Sequence, residues 1–492
     1  RKVIGCRLLR KQDENGKQFY IAKFDSTVKV NKIHICFGRA YSRAEMKVGE
    51  IRFYQYDSLE DDIMDLYVDE MHTTLRTDVT AQTVEDLKQR LETEDEVSKE
   101  KHPLYKELKL ELENAEYILT HENLSPSYEV DNRITAKKDG HLGFGGLNAW
   151  QPLGKVAYAG ETLVVYVGHN TKRTGDNAEL QLIMTQQHAE ANSFMKASNL
   201  KVGRNEITVP QIGSTNCERG GQIYIAYTGN NVNDKYAVRV LGGSDIPVLS
   251  VYGKTGIERT NAIKTYITEL ESYVTTIESK HNEIHKDSAK TVNYDYDRTN
   301  CILNATDIMM DQMMYSLPAE QALAGIKNAS DKVAALDNAL KGMEDTMQLF
   351  YHHKGLSNQE AAVKNSDTAN VNRNALPSQH LNIRYMRMFA GAFMYASGNH
   401  IGIEWGSTAL TGTTAFGWGI AHEIGHDINQ GTYAVAEVTN NYFAQLLTGK
   451  ERYTYENVYK KVTSGTVGRA SNVFTQLALY WQLHMAFDNN KD

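Results

Sequence analysis

Basic residues are not in excess in this chain. Lysine and arginine total 53 against 61 aspartate and glutamate, a formal net charge of −8 over 492 residues. That balance disfavours a polyanionic partner such as nucleic acid. The two signs are interspersed, with no acidic tail and no basic arm. Cysteine is scarce. Cys6, Cys36, Cys217 and Cys301 lie far apart without CxxC spacing, which argues against a cysteine metal site and against a disulfide scaffold. A Cys6–Cys36 bridge is conceivable, but buried free thiols are the simpler reading. No apolar run approaches the length that spans a bilayer, so no transmembrane segment is expected. No fixed-period repeat and no low-complexity segment is present. An initiator methionine is also missing: Arg1 leads straight into strand-like sequence, so the chain reads as an internal piece of something longer.

What is there suits a multidomain globular protein. The length calls for two to four cores, and hydrophobic content of 41% with charged content of 23% is ordinary. The first stretch is β in character, with short apolar runs at Val3–Leu9, Phe19–Phe24, Val28–Val30, Lys32–Phe37 and Glu50–Tyr56. Helical periodicity follows. Val84, Leu87 and Leu91 mark one helix, and Leu104, Leu108, Leu112, Ala115 and Leu119 mark a second, with Glu and Lys between them. Strand signals return at Gly154–Tyr158, Thr162–Val167, Glu179–Met184, Glu206–Val209, Gln222–Tyr227 and Tyr236–Leu241. From Lys254 helices dominate, with candidates at Gly256–His285, Ala305–Ser316, Asp331–Leu340 and after Pro377. Strand-like pieces lie between Ile383 and Glu404. Helices are then expected over Gly417–Gln430, Ala434–Leu447 and Val473–Phe487. The expected fold is thus one or more β-sandwich domains with a helical linker, followed by a mostly α (α+β) domain. Its boundaries are 1–77 (end of a β domain), 78–124 (linker), 125–253 (sandwich) and 254–492 (C-terminal domain).

The segment that carries chemistry is Trp418-Gly419-Ile420-Ala421-His422-Glu423-Ile424-Gly425-His426-Asp427. It contains HExxH. Residues four apart stack on one helix face, so His422 and His426 can meet one metal ion. Glu423 neighbours the first ligand and is placed to take a proton from water without ligating. A catalytic zinc site needs a third protein ligand and an open position. No third histidine follows at the HExxHxxGxxH spacing. Glu437, on the next expected helix, supplies a carboxylate, and Gly431-Thr432-Tyr433 can reverse the chain between the two. A chance HExxH in a chain of this size has odds of very roughly one in thirty. The apolar fillers and the downstream glutamate make chance rarer still.

Three other polar clusters read more simply. His281-Asn282-Glu283-Ile284-His285 also spaces two histidines four apart, but its glutamate points elsewhere, and a polar helix end is the plainer explanation. Asp295 and Asp297 lack the Gly and downstream Glu of an EF-hand and read as a turn. His352-His353 reads as a loop pair.

The stretches Gly417-Trp418-Gly419 before HEIGH and Glu437-Val438-Thr439-Asn440-Asn441 after it resemble the enhancin-like, mucin-degrading gluzincins of peptidase family M-sixty. Ala396-Ser397-Gly398-Asn399-His400-Ile401-Gly402-Ile403 is similar to that family's strand before the metal helix. The resemblance runs from about Ser125 to the C-terminus, and the start resembles the end of a galactose-binding-like sandwich. It implies a secreted or surface-associated bacterial zinc endopeptidase acting on O-glycosylated proteins such as mucins. It also implies Zn2+ held by His422, His426 and Glu437, with Glu423 as the base. Trp405, Asn399, His400 and Glu404, on or just after the strand expected to edge the cleft, are the candidates for glycan contact. Proteins of this type continue with further helical sequence, so the domain is expected to be cut short at Asp492. Two readings compete with the glycopeptidase. One is a carbohydrate-binding surface adhesin with a vestigial peptidase domain, against which the intact Glu423 counts. The other is a general peptidase indifferent to glycan.

Overall fold

The computed structural model describes residues 6–12, 18–24, 29, 49–133, 147–187, 194–212, 218–231, 233–286, 295–356, 376–388, 393–405, 417–429, 434–448, 456, 459–460 and 473–487. Cys36, Cys217, the runs Val28–Val30 and Lys32–Phe37 and the Gly431-Thr432-Tyr433 reversal lie wholly or mostly outside these residues. The architecture is mixed α/β. Among the described residues it has four sheets and ten helices.

An antiparallel hairpin, β1 (Cys6–Gln12) and β2 (Gln18–Phe24), opens the chain. Glu50–Tyr56, expected as a strand, has no regular structure and its residues are largely exposed. Three helices follow: α1 (Leu59–Met64), α2 (Ala81–Glu92) and α3 (Tyr105–Thr120). The periodicity read from sequence is the reason they pair. Val84, Leu87 and Leu91 of α2 and Leu108, Leu112 and Ala115 of α3 are buried in one apolar cluster, while Glu and Lys face water. Thr80 caps α2 through a reciprocal side-chain bond with Thr83.

Two antiparallel sheets come next. One orders β12 (Ser244–Asp245), β5 (Trp150–Tyr158), β10 (Gly220–Tyr227), β7 (Asn177–Thr185) and β8 (Met195–Lys201). The other orders β3 (Tyr128–Val130), β11 (Tyr236–Leu241), β6 (Thr162–His169) and β9 (Gly203–Thr208). Their inner faces share a core of Val165, Val167, Leu182, Ile223, Ile225 and Val238.

The C-terminal region is built on a seven-stranded sheet ordered β13 (Val248–Ser250), β14 (Thr306–Met309), β15 (Met313–Leu317), β16 (His380–Tyr385), β18 (His400–Ile403), β17 (Met394–Ser397), with β4 (Leu147–Asn148) also on β16. Two helices were expected where β14, β15 and β16 lie. The reason is burial on both faces: every residue of these three strands is buried, so no alternation marks them as strands. Helices α4 (Gly256–Val274), α5 (Ile277–His285), α6 (Ala319–Ala324) and α7 (Lys332–His353) pack nearby. The single helix expected over Gly256–His285 is broken between α4 and α5 at Thr275-Thr276, whose hydroxyls bond the carbonyls of Ser272 and Tyr273. His352 and His353 close α7 and are not a loop pair. His281, expected on a polar helix end, is buried.

A polar seam joins the five-stranded and seven-stranded sheets. Tyr224 Oη of β10 donates to Asp307 of β14 at 3.0 Å and lies 3.1 Å from Ser316 Oγ of β15. The fully buried Arg384 of β16 donates to Thr185 Oγ1 of β7 and Gln222 Oε1 of β10, both at 3.1 Å. The last three helices, α8 (Trp418–Ile428), α9 (Thr439–Thr448) and α10 (Val473–Phe487), complete the described chain. No helix among the described residues is long and apolar enough to cross a membrane.

Candidate metal centre

Helix α8 has two opposed stripes. Ile420, Ile424 and Ile428 recur every four residues and are buried in the main core with α7 and the seven-stranded sheet. His422 and His426, offset by two, therefore face the other way. Their rings stand edge to face with centroids 4.9 Å apart. Gly425 lets α9 approach this helix. A Cβ there would come within 2.8 Å of Asn440 Cα and closer still to its carbonyl oxygen, so no larger residue fits without moving a helix.

Glu437 arrives just before α9. The sequence expectation placed it inside a helix over Ala434–Leu447, but α9 begins at Thr439 and Glu437 sits in the preceding turn. Its φ is 62°, left-handed and costly for a residue with a Cβ. Two interactions offset the cost. Its carbonyl accepts from Asn441 Nδ2 at 2.7 Å, and its carboxylate lies 3.2 Å from His422 Nε2 and 3.2 Å from His426 Nε2. Tetrahedral zinc with ligand bonds of about 2.0–2.1 Å separates its ligand atoms by about 3.3 Å. Each imidazole nitrogen thus stands from one oxygen of the Glu437 carboxylate at about the separation such an ion imposes, and the donor set of nitrogen and oxygen suits it.

Glu423 brings a carboxylate oxygen within 4.8 Å of the ligand nitrogens of His422 and His426. Burial pushes its carboxyl above the usual range. The charge of Glu437 adds to this, while His422 and the Ala396 backbone N–H pull it down. Ala396 belongs to β17, the outermost strand of its sheet. Glu423 therefore sits beside the strand that ends its sheet among the described residues. Burial and the neighbouring His422 lower the His426 pKa, which keeps the ring neutral and its lone pair available.

Two asparagines complete the arrangement, and neither was given a role from sequence. Asn441 Oδ1 accepts from His422 Nδ1 at 2.7 Å and from Trp418 Nε1 at 3.1 Å. That bond fixes the His422 tautomer with Nε2 free toward the ligand side. Asn440 Nδ2 lies 2.9 Å from His426 Nε2 and 3.2 Å from His422 Nε2, facing the lone pairs a cation would use. The signal for Asn441 was its place four residues after Glu437 at the start of α9.

The four candidates for glycan contact have different settings. His400 is buried, bonded to Tyr395 Oη at 2.7 Å and Asn399 Oδ1 at 2.8 Å, with its ring 3.9 Å from that of Phe194. Burial lowers its pKa to about 3, so it is a neutral prop inside the fold. Asn399, Glu404 and Trp405 are partly accessible. Arg298 lies over the Trp405 ring at 5.2 Å.

The fold has counterparts among solved structures. The fold is that of M-sixty metallopeptidase catalytic domains. A Clostridium perfringens ZmpB structure with two CBM domains and the M-sixty domain matches with a TM-score of 0.60 and 23% identity over 88% of this chain. The chain spans only 42% of that neighbour's length. The M-sixty domain of ZmpC from the same organism, solved with the sialyl T antigen, matches at TM-score 0.52 and 21% identity, covering 73% of this chain and 67% of that one. A metallopeptidase from Bacteroides thetaiotaomicron matches at TM-score 0.51 and 15% identity, covering 92% of this chain and 66% of its own. No family model and no curated protein matches the chain.

Proposed function

We propose that this chain is a zinc-dependent endopeptidase that cleaves O-glycosylated, mucin-type proteins. The observation that carries the reading is the pair of 3.2 Å separations from Glu437 to His422 Nε2 and His426 Nε2. When bound there, zinc would acidify a water and polarise the scissile carbonyl. The chain's own residues do the rest. His422 and His426 present imidazole nitrogens to the ion. Glu423 takes a proton from the attacking water and returns it to the departing amine. The outer edge of β17, which already delivers the Ala396 N–H to Glu423, offers backbone to an extended peptide beside that carboxylate.

The glycan part rests on the neighbours and on the cleft's rim. One neighbour was solved with the sialyl T antigen and another carries CBM domains. Asn399, Glu404 and Trp405 offer an amide, a carboxylate and an aromatic face for sugar hydroxyls and stacking. His400 acts from below by holding the strand. Domain limits at 1–77, 78–124, 125–253 and 254–492, and a secreted or surface location in a bacterium, belong to the same proposal.

The test is one peptide made with and without an O-linked sugar, incubated with zinc-loaded and chelator-stripped protein. Cleavage only of the glycosylated form, and only with zinc, is the expected result. Cleavage of both forms reduces the reading to a general peptidase. Zinc-independent glycan binding without cleavage favours the adhesin.

A further inference from the structure

The two histidines of the HNEIH segment, set aside as a polar helix end, do not face solvent, although Asn282, Glu283 and Ile284 between them do. His281 and His285 of α5 turn inward, with side chains only 3% and 8% exposed. They converge on Glu218, a carboxylate 3% exposed that stands two residues before β10. Glu218 Oε1 lies 3.2 Å from His281 Nε2 and 2.8 Å from His285 Nε2. Its other oxygen is taken by the Ile302 N–H at 2.5 Å. The fourth member is Cys301, a buried free thiol. Glu218, His281 and Cys301 each bring a ligand atom within 4.8 Å of the others.

We propose that Glu218, His281, His285 and Cys301 form a second metal site, of structural zinc type, separate from the His422–His426–Glu437 centre. Three arguments carry it. The first is spacing. A tetrahedral ion with bonds of about 2.0 Å to nitrogen and 2.3 Å to sulfur needs ligand atoms roughly 3.3–3.6 Å apart; Glu218 stands 3.2 Å from His281 and 2.8 Å from His285, and Cys301 comes within 4.8 Å of Glu218 and His281. The second is ligand type. Cysteine with histidine is a zinc donor set, and four protein ligands leave no open position, as in a closed structural site.

The third argument is charge. Without an ion, a buried carboxylate must be matched by a protonated imidazole and the thiol has no task. With a divalent ion, one thiolate, one carboxylate and two neutral imidazoles sum to zero, which suits a dry interior.

The scarcity of cysteine did not exclude this site, because it needs only one. The four residues come from three stretches far apart in the chain: the approach to β10, helix α5, and the turn before β14. An ion here would clip the five-stranded sheet to the C-terminal sheet and its helices.

The experiment uses the full chain, stripped with chelator and titrated with cobalt(II) alone. A thiolate ligand gives a near-ultraviolet sulfur-to-cobalt charge-transfer band, which a site of histidines and carboxylate cannot give. The band is expected to saturate at one equivalent. It should persist in the His422→Ala/His426→Ala double variant and in Cys217→Ser, and vanish in Cys301→Ser. Zinc content should fall by one ion per chain in His285→Gln. No band in the wild-type titration overturns the proposal, even if Cys301→Ser does not fold. So does a band that survives in Cys301→Ser. Because the double variant lacks the first centre, failure of the peptidase reading leaves this result unaffected.

Discussion

The side-chain oxygen of Asn441 stands 2.7 Å from His422 Nδ1, and the same oxygen accepts from Trp418 Nε1. Its amide nitrogen holds the carbonyl of Glu437. One asparagine therefore positions two proposed ligands, one within α8 and one in the turn before α9. Loss of such an outer partner typically weakens metal binding about 10–100-fold. Asn441→Ala should do so, measured by competition against a chelator of known zinc affinity. Unchanged affinity would show that the bond is incidental.

Glu423 lies beside the ligands without belonging to them. Glu423→Gln should keep one zinc at the His422–His426–Glu437 centre and lose turnover by at least about 100-fold, the range for removing a general base. Metal content by plasma emission and single-turnover cleavage read the two halves separately. Full activity in this variant would end the mechanism.

Gly425→Ala places a methyl group against the Asn440 backbone. Helices α8 and α9 must part, which costs roughly 1–3 kcal/mol and pulls Glu437 from the imidazoles. Urea unfolding should shift to lower midpoint, with zinc affinity falling in step. A loss of stability with full zinc affinity would mean that the helices reseat without moving the ligands.

Asp307 provides a pH dependence away from the metal. Burial raises its pKa to about 6, against the pull of the Tyr224 and Ser316 hydroxyls and of Arg384. The folded form thus holds this proton more tightly than the unfolded chain, whose carboxyl titrates near 4. The sign follows: this contribution is full below about pH 4 and is lost as pH rises through about 6, by roughly 3 kcal/mol. Asp307→Asn should remove that slope. Stability of wild type minus variant, from urea unfolding between pH 4.5 and 7, should fall with rising pH and then level. A flat difference would show that Asp307 stays ionised throughout.

Chelator stripping should lower the thermal midpoint, and zinc at 100 times its dissociation constant should restore about 2.7 kcal/mol per site. A midpoint indifferent to zinc would mean that neither proposed site binds it in the native state.

Helix α8 was legible because two signals coincide on it: isoleucines every four residues and histidines offset by two. Six strands of the two antiparallel sheets, β5, β6, β7, β9, β10 and β11, were legible because Gly and Asn punctuate them, whereas β3, β8 and β12 were not read. The central strands β14, β15 and β16 were not. Burial on both faces erases the alternation that distinguishes strand from helix, and Thr306–Met309 reads as either. Glu437 was singled out by its offset along the chain, but its left-handed backbone could not be read, because φ at a single glutamate has no sequence signature. The Glu218 cluster was hidden by distance: His281 and His285 announce themselves, while Glu218 and Cys301 come from chain segments that only the fold brings near.

The polar seam between the five-stranded and seven-stranded sheets bears on how such proteins can be rearranged. A catalytic region cut at the start of α4 would leave Arg384 without Thr185 and Gln222, and Asp307 without Tyr224. A guanidinium and a carboxyl group made for the interior would then meet water or nothing. The smallest piece that can be transplanted into another modular chain, or expressed by itself, therefore includes both sheets. Recombination that shuffles flanking modules is free to cut outside that pair, and is penalised for cutting within it.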